Sequence, residues 1–141
     1  MNRIAIATAA LAVVSTASEA TAMANYRWKY RPLLVFADGG ANAVLAKQRS
    51  MVAASRSGFS DRGVVLVWVV GNSVRAELGS GPAQSAGALR ARFGASTAAF
   101  RAVLVGKDGG AKLSQSMPLD AARLFAMIDA MPMRRDEMRR K

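Results

Sequence analysis

The sequence contains no cysteine and no histidine, and these two absences exclude much of the chemistry of small enzymes. A chain without cysteine forms no disulfide, has no thiolate nucleophile and cannot carry out thiol–disulfide exchange. Zinc and copper also lose their preferred thiolate and imidazole ligands. We therefore expect neither a metal site nor a cofactor, and a fold that is held together by packing alone.

Long apolar runs are scarce as well. The two longest lie at 4–14 and 64–70, and both are shorter than the roughly 20 apolar residues that cross a bilayer. The first run follows a positive start at Arg3 and precedes small residues that end in Ala22-Met23-Ala24, which is the pattern of a secretory leader. We expect cleavage after Ala24 and a protein that is periplasmic or secreted, not integral to a membrane.

These features divide the chain into three predicted parts. Residues 1–24 are the signal peptide, residues 25–132 are a folded domain, and residues 133–141 are a basic C-terminal tail. The domain is long enough to bury a core without disulfides. The tail is expected to fray, because Pro132 ends the last predicted helix and chain ends are poorly ordered unless something ties them down.

Acidic residues are few: nine Asp and Glu stand against 20 Lys and Arg, for a net charge of +11. The cations are spread along the chain with two local concentrations, which supply the candidate binding residues Arg27, Lys29 and Arg31, and Arg134, Arg135, Arg139 and Arg140. The simpler interpretation is a solvated surface that keeps the protein soluble. The alternative is attraction to anionic lipids or acidic polymers of the cell envelope, and not to nucleic acid.

The apolar pattern predicts an α/β fold. Continuous apolar runs indicate buried strands, spaced apolar residues indicate helices, and Asp108-Gly109 indicates a hairpin turn. The predicted strands span 33–37, 64–70, 100–105 and 111–114, and the predicted helices span 43–56, 88–93 and 119–131. Residues 71–87 are rich in Gly and Ser and are expected to form a long mobile loop. The order β-α-β-α-β-β-α is that of a minimal thioredoxin-like fold, a three-layer sandwich with a mixed four-stranded sheet.

Four segments, at 26–36, 89–94, 103–110 and 125–135, resemble an exported bacterial family called domain of unknown function 4174. The resemblance covers nearly all of the chain after the leader, and the last two segments are the most specific. It implies a relative of thioredoxins and peroxiredoxins, but it brings no catalytic residue with it. In working members of those enzyme families, the turn after the first strand carries the nucleophilic cysteine. Here that turn is Asp38-Gly39-Gly40-Ala41, so the redox site is missing.

Asp38 is a candidate binding residue for a different reason. It follows the first predicted strand, at the carboxyl edge where open α/β sheets bind ligands, and the two glycines after it leave room for a close approach. The alternative is a loop carboxylate that helps to cap the helix beginning after Asn42.

Aromatic and basic residues alternate just before the first strand. Tyr26, Trp28 and Tyr30 are separated by cations, which is typical of an edge strand with its rings packed inward. The same alternation suits a surface that stacks on sugars or binds anionic polymers.

The leading hypothesis is an exported, non-catalytic thioredoxin-like domain that binds an envelope or extracellular partner. One alternative is an enzyme with a thiol-independent site near Asp38, assisted by Lys107 or by the loop at 71–87. Another is electrostatic adhesion to anionic envelope surfaces. Fold analogy alone does not favour an enzyme.

The absence of cysteine makes one functional prediction independent of the fold. The purified protein should neither reduce insulin nor turn over peroxide above background, because it has no thiol to oxidise. A thioredoxin supplies the positive control for insulin reduction, and a peroxiredoxin supplies it for peroxide turnover. Turnover that survives removal of contaminating enzymes would contradict the prediction.

Overall fold

The structure, a computed structural model, describes residues 23–141. The predicted leader therefore lies outside the described residues, apart from Met23 and Ala24. The strands are β1 (Arg31–Ala37), β2 (Val64–Val70), β3 (Ser73–Glu77), β4 (Arg101–Val105) and β5 (Ala111–Gln115). The helices are α1 (Ala43–Ala54), α2 (Arg56–Asp61), α3 (Ala86–Phe93), α4 (Ala121–Asp129) and α5 (Pro132–Arg139). No helix within this part of the chain is both long enough and apolar enough to span a bilayer.

The five strands form one mixed sheet in the order β3-β2-β1-β4-β5. β1 and β2 run parallel, as predicted, and are connected through α1 and α2. β4 runs antiparallel to β1, and β5 returns antiparallel to β4 after the turn at 106–110. The chain therefore has the predicted βαβ unit followed by a helix, a hairpin and a further helix.

The sheet carries an apolar core on each face. On one face, side chains such as Leu33 and Trp68 pack with Leu45 of α1, Phe59 of α2 and Leu124 of α4. Alternate residues of the same strands face the other way and pack with α3 and with the segment around Tyr26. Helices on both faces make three layers. Trp68 is only 4% exposed and β2 has a neighbour on each side, which confirms the prediction of a central, buried strand.

Good local signals explain where the helices begin and end. The Asn42 side chain accepts hydrogen bonds from the backbone N–H groups of Val44 and Leu45 and caps α1, as predicted. Asp120 caps α4 in the same way. Gly94 ends α3 in the left-handed conformation, with φ of 63°, which glycine adopts without steric cost.

The prediction of a four-stranded sheet is wrong, because the segment at 71–87 contributes β3. Gly71 and Asn72 form a two-residue turn in which Gly71 has φ of 56°, and Val70 pairs with Ser73 across it. Gly-Asn between two strands is a recognised hairpin signal. Val74 and Ala76 pack against the core on the α3 face. The alternation of these apolar residues with polar ones in the sequence is therefore a signal for β3.

The prediction of an edge strand at 26–30 is also wrong. Residues 25–29 form turns, and the rings do not all face inward. Tyr26 is buried and its hydroxyl donates to the carbonyl of Ser80 at 2.6 Å, whereas Trp28 is 60% exposed. Arg31, expected on the surface, is 1% exposed at the start of β1.

Finally, most of the segment predicted as a tail is a helix. Pro132 begins α5, because proline suits the first helical position, where no backbone N–H is needed. Arg134 of this helix is 3% exposed, so α5 packs against the rest of the domain.

Deletion of residues 132–141 should therefore destabilise the domain. The Arg31 guanidinium would lose a carboxylate partner, Glu137, and removing one member of a buried ion pair costs about 3–5 kcal/mol. Urea unfolding of full-length and truncated protein measures the change. As a control, deleting only Arg140 and Lys141, both exposed, should cost less than about 1 kcal/mol. An unchanged midpoint after the longer deletion would mean that α5 is dispensable.

Candidate functional site

The structure places the predicted site residues at opposite ends of β1. Arg31 begins this seven-residue strand and Asp38 follows its end, so the two lie about 20 Å apart. The other candidate cations lie at the Arg31 end, because Arg27 and Lys29 precede β1, Arg134, Arg135 and Arg139 lie on α5, and Arg140 directly follows α5. The two basic segments therefore share one end of the domain, through a contact between Arg31 and Glu137 of α5.

Asp38 takes part in a turn at the other end. Its carboxylate accepts hydrogen bonds from the backbone N–H of Gly39 at 2.9 Å and from the side-chain amide of Asn42 at 2.8 Å. The Asn42 bond first, and the Gly39 bond second, hold the pKa of Asp38 below its usual range. The carboxylate thus orients Asn42, which caps α1. This is the arrangement expected if Asp38 helps to cap the helix.

Lys107 does not join Asp38. It follows β4, which runs antiparallel to β1, so it lies near Arg31 instead. Lys107 donates a hydrogen bond to Glu137. An active site that combines Asp38 with Lys107 is therefore incompatible with the sheet topology.

Glu137 is the centre of an ion-pair network at the Arg31 end. It accepts two hydrogen bonds from Arg31, at 3.1 and 3.3 Å, and another from Lys107. Arg31 also donates to the carbonyl of Arg62 at 2.8 Å. Partial burial opposes ionisation of Glu137, but the hydrogen bonds from Lys107 and Arg31 outweigh it and lower the pKa. One carboxylate thus connects β1, the β4–β5 turn and α5.

Arg134 makes a second set of ion pairs. It contacts Asp61 at the end of α2 at 2.7 Å and Asp129 at the end of α4 at 3.0 Å. Arg62 binds the same Asp129 carboxylate through two nitrogens, at 2.8 and 3.0 Å. Arg31 and Arg134 are thus buried parts of the fold, whereas Arg135 and Arg139 on α5, and Arg140 directly after it, remain exposed.

A groove lies beside this network. Its larger part is a cavity of about 380 Å³ between the β4–β5 turn and the start of α5, lined by Arg31, Gly106, Lys107, Asp108, Lys112, Met131, Pro132 and Met133. Its smaller part, of about 170 Å³, is lined by Trp28, Lys107, Met133, Asp136, Glu137 and Arg140. Lys107 and Met133 belong to both parts. We call the two together the Trp28 groove.

Trp28 has the most unusual conformation in the groove. Its φ is 67°, a left-handed conformation that costs a bulky L-residue about 1–2 kcal/mol. Its backbone N–H donates to the carbonyl of Lys107 at 2.7 Å, and the Arg27 guanidinium lies 5.4 Å from the ring centroid. Strain of this kind concentrates at functional sites. The aromatic and basic alternation drew attention to Trp28, but nothing in the sequence indicates its backbone strain.

The groove holds two carboxyl groups whose pKa values are shifted away from neutral pH. Its acidic side chains include Asp108 and Glu137, and cations hold both pKa values below the usual range, mainly Lys112 for Asp108. A general acid or base at neutral pH needs a pKa shifted the other way. Across residues 23–141, no cluster of three or more metal-ligating side chains is present.

The Glu137 network makes a prediction about acid stability. The pKa of Glu137 is lower in the folded than in the unfolded protein. Its ionised carboxylate therefore adds to the free energy of unfolding above the ordinary pKa of about 4.3, and this stabilisation is lost as the pH falls through the folded pKa. Glu137→Gln should cost about 3 kcal/mol at pH 7, and the difference from wild type should shrink below about pH 4. Urea unfolding at several pH values measures this.

Glu77→Gln is the matched control. Glu77 pairs with Arg56 at 2.7 Å, but both side chains are exposed, by 39% and 51%, so its loss should cost less than about 1 kcal/mol. Equal effects of the two substitutions would show that the Glu137 network contributes no more than a surface pair.

Comparison with known proteins agrees with the similarity in the four sequence segments. The family described as Domain of unknown function (DUF4174) matches residues 22–137, a span that includes every described strand and nearly all of α5. No curated protein and no solved structure matches the chain. The match covers most of the sequence, and the chain therefore belongs to the DUF4174 family.

Proposed function

We propose that this protein is an exported, non-catalytic binding domain that recognises an envelope or extracellular component through the Trp28 groove. The observation that carries the proposal is Trp28 itself. Trp28 is 60% exposed and has a φ of 67°. It therefore lacks the stabilisation that burial of its ring would give, and its backbone stays in an unfavourable conformation. Such a residue is explained by a ligand that covers the indole.

The pKa shifts support a binding role over catalysis. Among the described residues, every carboxyl group with a resolved shift has its pKa lowered, namely Asp38, Asp61, Asp108, Asp129 and Glu137. Burial raises the pKa of Tyr26 to about 12. All of these shifts lead away from neutrality, whereas catalytic acids and bases are tuned toward it.

We further propose that the fold is a thioredoxin-like one in which the turn after β1 carries no cysteine. The parallel β1–β2 pair, the helix α3, the β4–β5 hairpin and α4 follow the expected order, with β3 as an additional edge strand. This relationship supports a partner-binding role only by analogy.

Export remains a proposal, and the burial of Met23 bears on where the leader is cut. Met23 is 3% exposed within the core on the α3 face, and its carbonyl accepts a hydrogen bond from the backbone N–H of Tyr26 at 3.1 Å. Cleavage after Ala24 would remove this side chain. Ala20-Thr21-Ala22 is also a small-x-small pattern, and cleavage after Ala22 would retain Met23.

The exported protein should therefore begin at Met23. Sequencing of its N-terminus, or its intact mass, distinguishes this start from Asn25. A recombinant chain that starts at Asn25 should be less stable than one that starts at Met23 by about 2 kcal/mol, the low end for loss of a buried methionine. A natural N-terminus at Asn25 with equal stabilities would contradict the prediction.

Capture of a ligand tests the binding function. The mature protein and the variant Trp28→Gly are immobilised and exposed to envelope and extracellular extracts at low and high salt. Glycine adopts a positive φ without steric cost, so this variant should fold at least as stably as wild type. A component retained by wild type and lost by Trp28→Gly supports the groove as the binding site.

Two results would oppose the proposal. A component captured equally by wild type and Trp28→Gly would place recognition elsewhere on the domain. Turnover of a hydrolase or transferase substrate by wild type, abolished by a substitution at Asp38, would favour the alternative of a thiol-independent enzyme.

A further inference from the structure

We propose that the Trp28 groove docks on an anionic phospholipid bilayer, with Trp28 in the interface between headgroups and acyl chains. This inference rests on the proposed binding function and names its partner. It also changes which residues are expected to bind, because Arg31 and Arg134, two of the candidate cations, are buried within the domain.

The apolar part of the face has the composition of an interfacial anchor. Trp28 is 60% exposed and Met133, on the other side of the groove, is 36% exposed. Tyr30, close to Trp28 in the chain, is 43% exposed. Indole and phenol rings favour the bilayer interface because each combines an apolar body with a polar group.

Exposed cations flank this apolar part. Arg27 lies over the Trp28 ring, Lys29 follows Trp28 in the chain, and Arg140, directly after α5, lines the same groove. All three side chains belong to exposed residues. Anionic headgroups attract such cations, whose effect extends over a Debye length of about 8 Å at physiological salt.

The acidic side chains of the groove do not cancel this attraction. Asp108 pairs with Lys112, Asp136 with Arg139, and Glu137 with both Arg31 and Lys107. Each carboxylate is therefore already balanced by at least one cation when a headgroup approaches.

The lining of the groove favours a lipid over a neutral or acidic glycan. The residues that line its two parts include no serine, threonine, asparagine or glutamine, so amide and hydroxyl side chains that could bind sugar hydroxyls are missing from it. The apolar side chains of Met131, Pro132 and Met133 instead suit acyl-chain carbons. Cations such as Lys47 and Arg123 lie elsewhere on the domain, so charge alone would not orient the protein, whereas Trp28 does.

Tryptophan fluorescence tests the proposal directly, because the protein has two tryptophans and they differ in exposure. The mature protein is titrated with vesicles of phosphatidylglycerol and phosphatidylcholine, and in parallel with vesicles of phosphatidylcholine alone. With the anionic vesicles we expect a blue shift and quenching by brominated acyl chains. The variant Trp28→Phe retains only Trp68, which is 4% exposed, and should give neither signal.

Two further variants separate docking from folding and from overall charge. Trp28→Gly should fold at least as stably as wild type and lose most of its vesicle binding by sedimentation. Arg140→Gln should weaken partitioning about fivefold, which corresponds to about 1 kcal/mol for one cation near an anionic membrane. Lys47→Gln removes the same charge from α1, away from the groove, and should leave partitioning nearly unchanged.

Three outcomes would overturn the inference: no binding to anionic vesicles at low salt, binding without a change in Trp28 fluorescence, or equal weakening by Arg140→Gln and Lys47→Gln. Binding to an acidic polysaccharide such as heparin, lost in Trp28→Gly while vesicles are ignored, would also overturn it. That last result would leave the binding function of the groove intact, whereas failure of Trp28→Gly to lose any ligand would remove both proposals.

Discussion

Burying the Arg31 guanidinium at the start of β1 is unfavourable unless its charge finds a partner, because desolvation of an ion costs several kcal/mol. Glu137 supplies that partner, and in doing so it fixes α5 against the end of the sheet. Lys107 joins the same carboxylate and fixes the β4–β5 turn. This ion-pair network therefore connects the walls of the Trp28 groove.

The same network explains why the strained backbone at Trp28 persists. The Trp28 N–H donates to the carbonyl of Lys107, and Lys107 is held through Glu137. A conformation that costs about 1–2 kcal/mol survives only where the surroundings leave no easier one. The backbone conformation that exposes the indole therefore depends on the same contacts that hold α5 and the β4–β5 turn together.

Much of the fold was predictable because its signals are local. The apolar runs of β1 and β2 follow from the cost of exposing such runs to water, and Asn42 and Gly94 mark helix ends through bonds within a few residues. β3 could also have been predicted from the Gly71-Asn72 turn and the alternation of apolar and polar residues after it. The glycine and serine content of the segment favoured a loop instead. The Arg31 end of the domain was not predictable in this way. Its basic residues are visible in the sequence, yet only their partners decide which of them are buried.

The sequence by itself determined that thiol chemistry is excluded, that two apolar strands lie at the centre of the domain, and where several helices begin and end. Each of these properties depends on residue types or on neighbours along the chain. Only the tertiary structure decided that Arg31 and Arg134 are buried while Trp28 is exposed, that α5 is a helix of the domain, and that Lys107 lies far from Asp38. The reason is distance along the chain, since the contact between Arg31 and Glu137 spans 106 residues. The burial of a charge is set by whether folding brings such a partner to it.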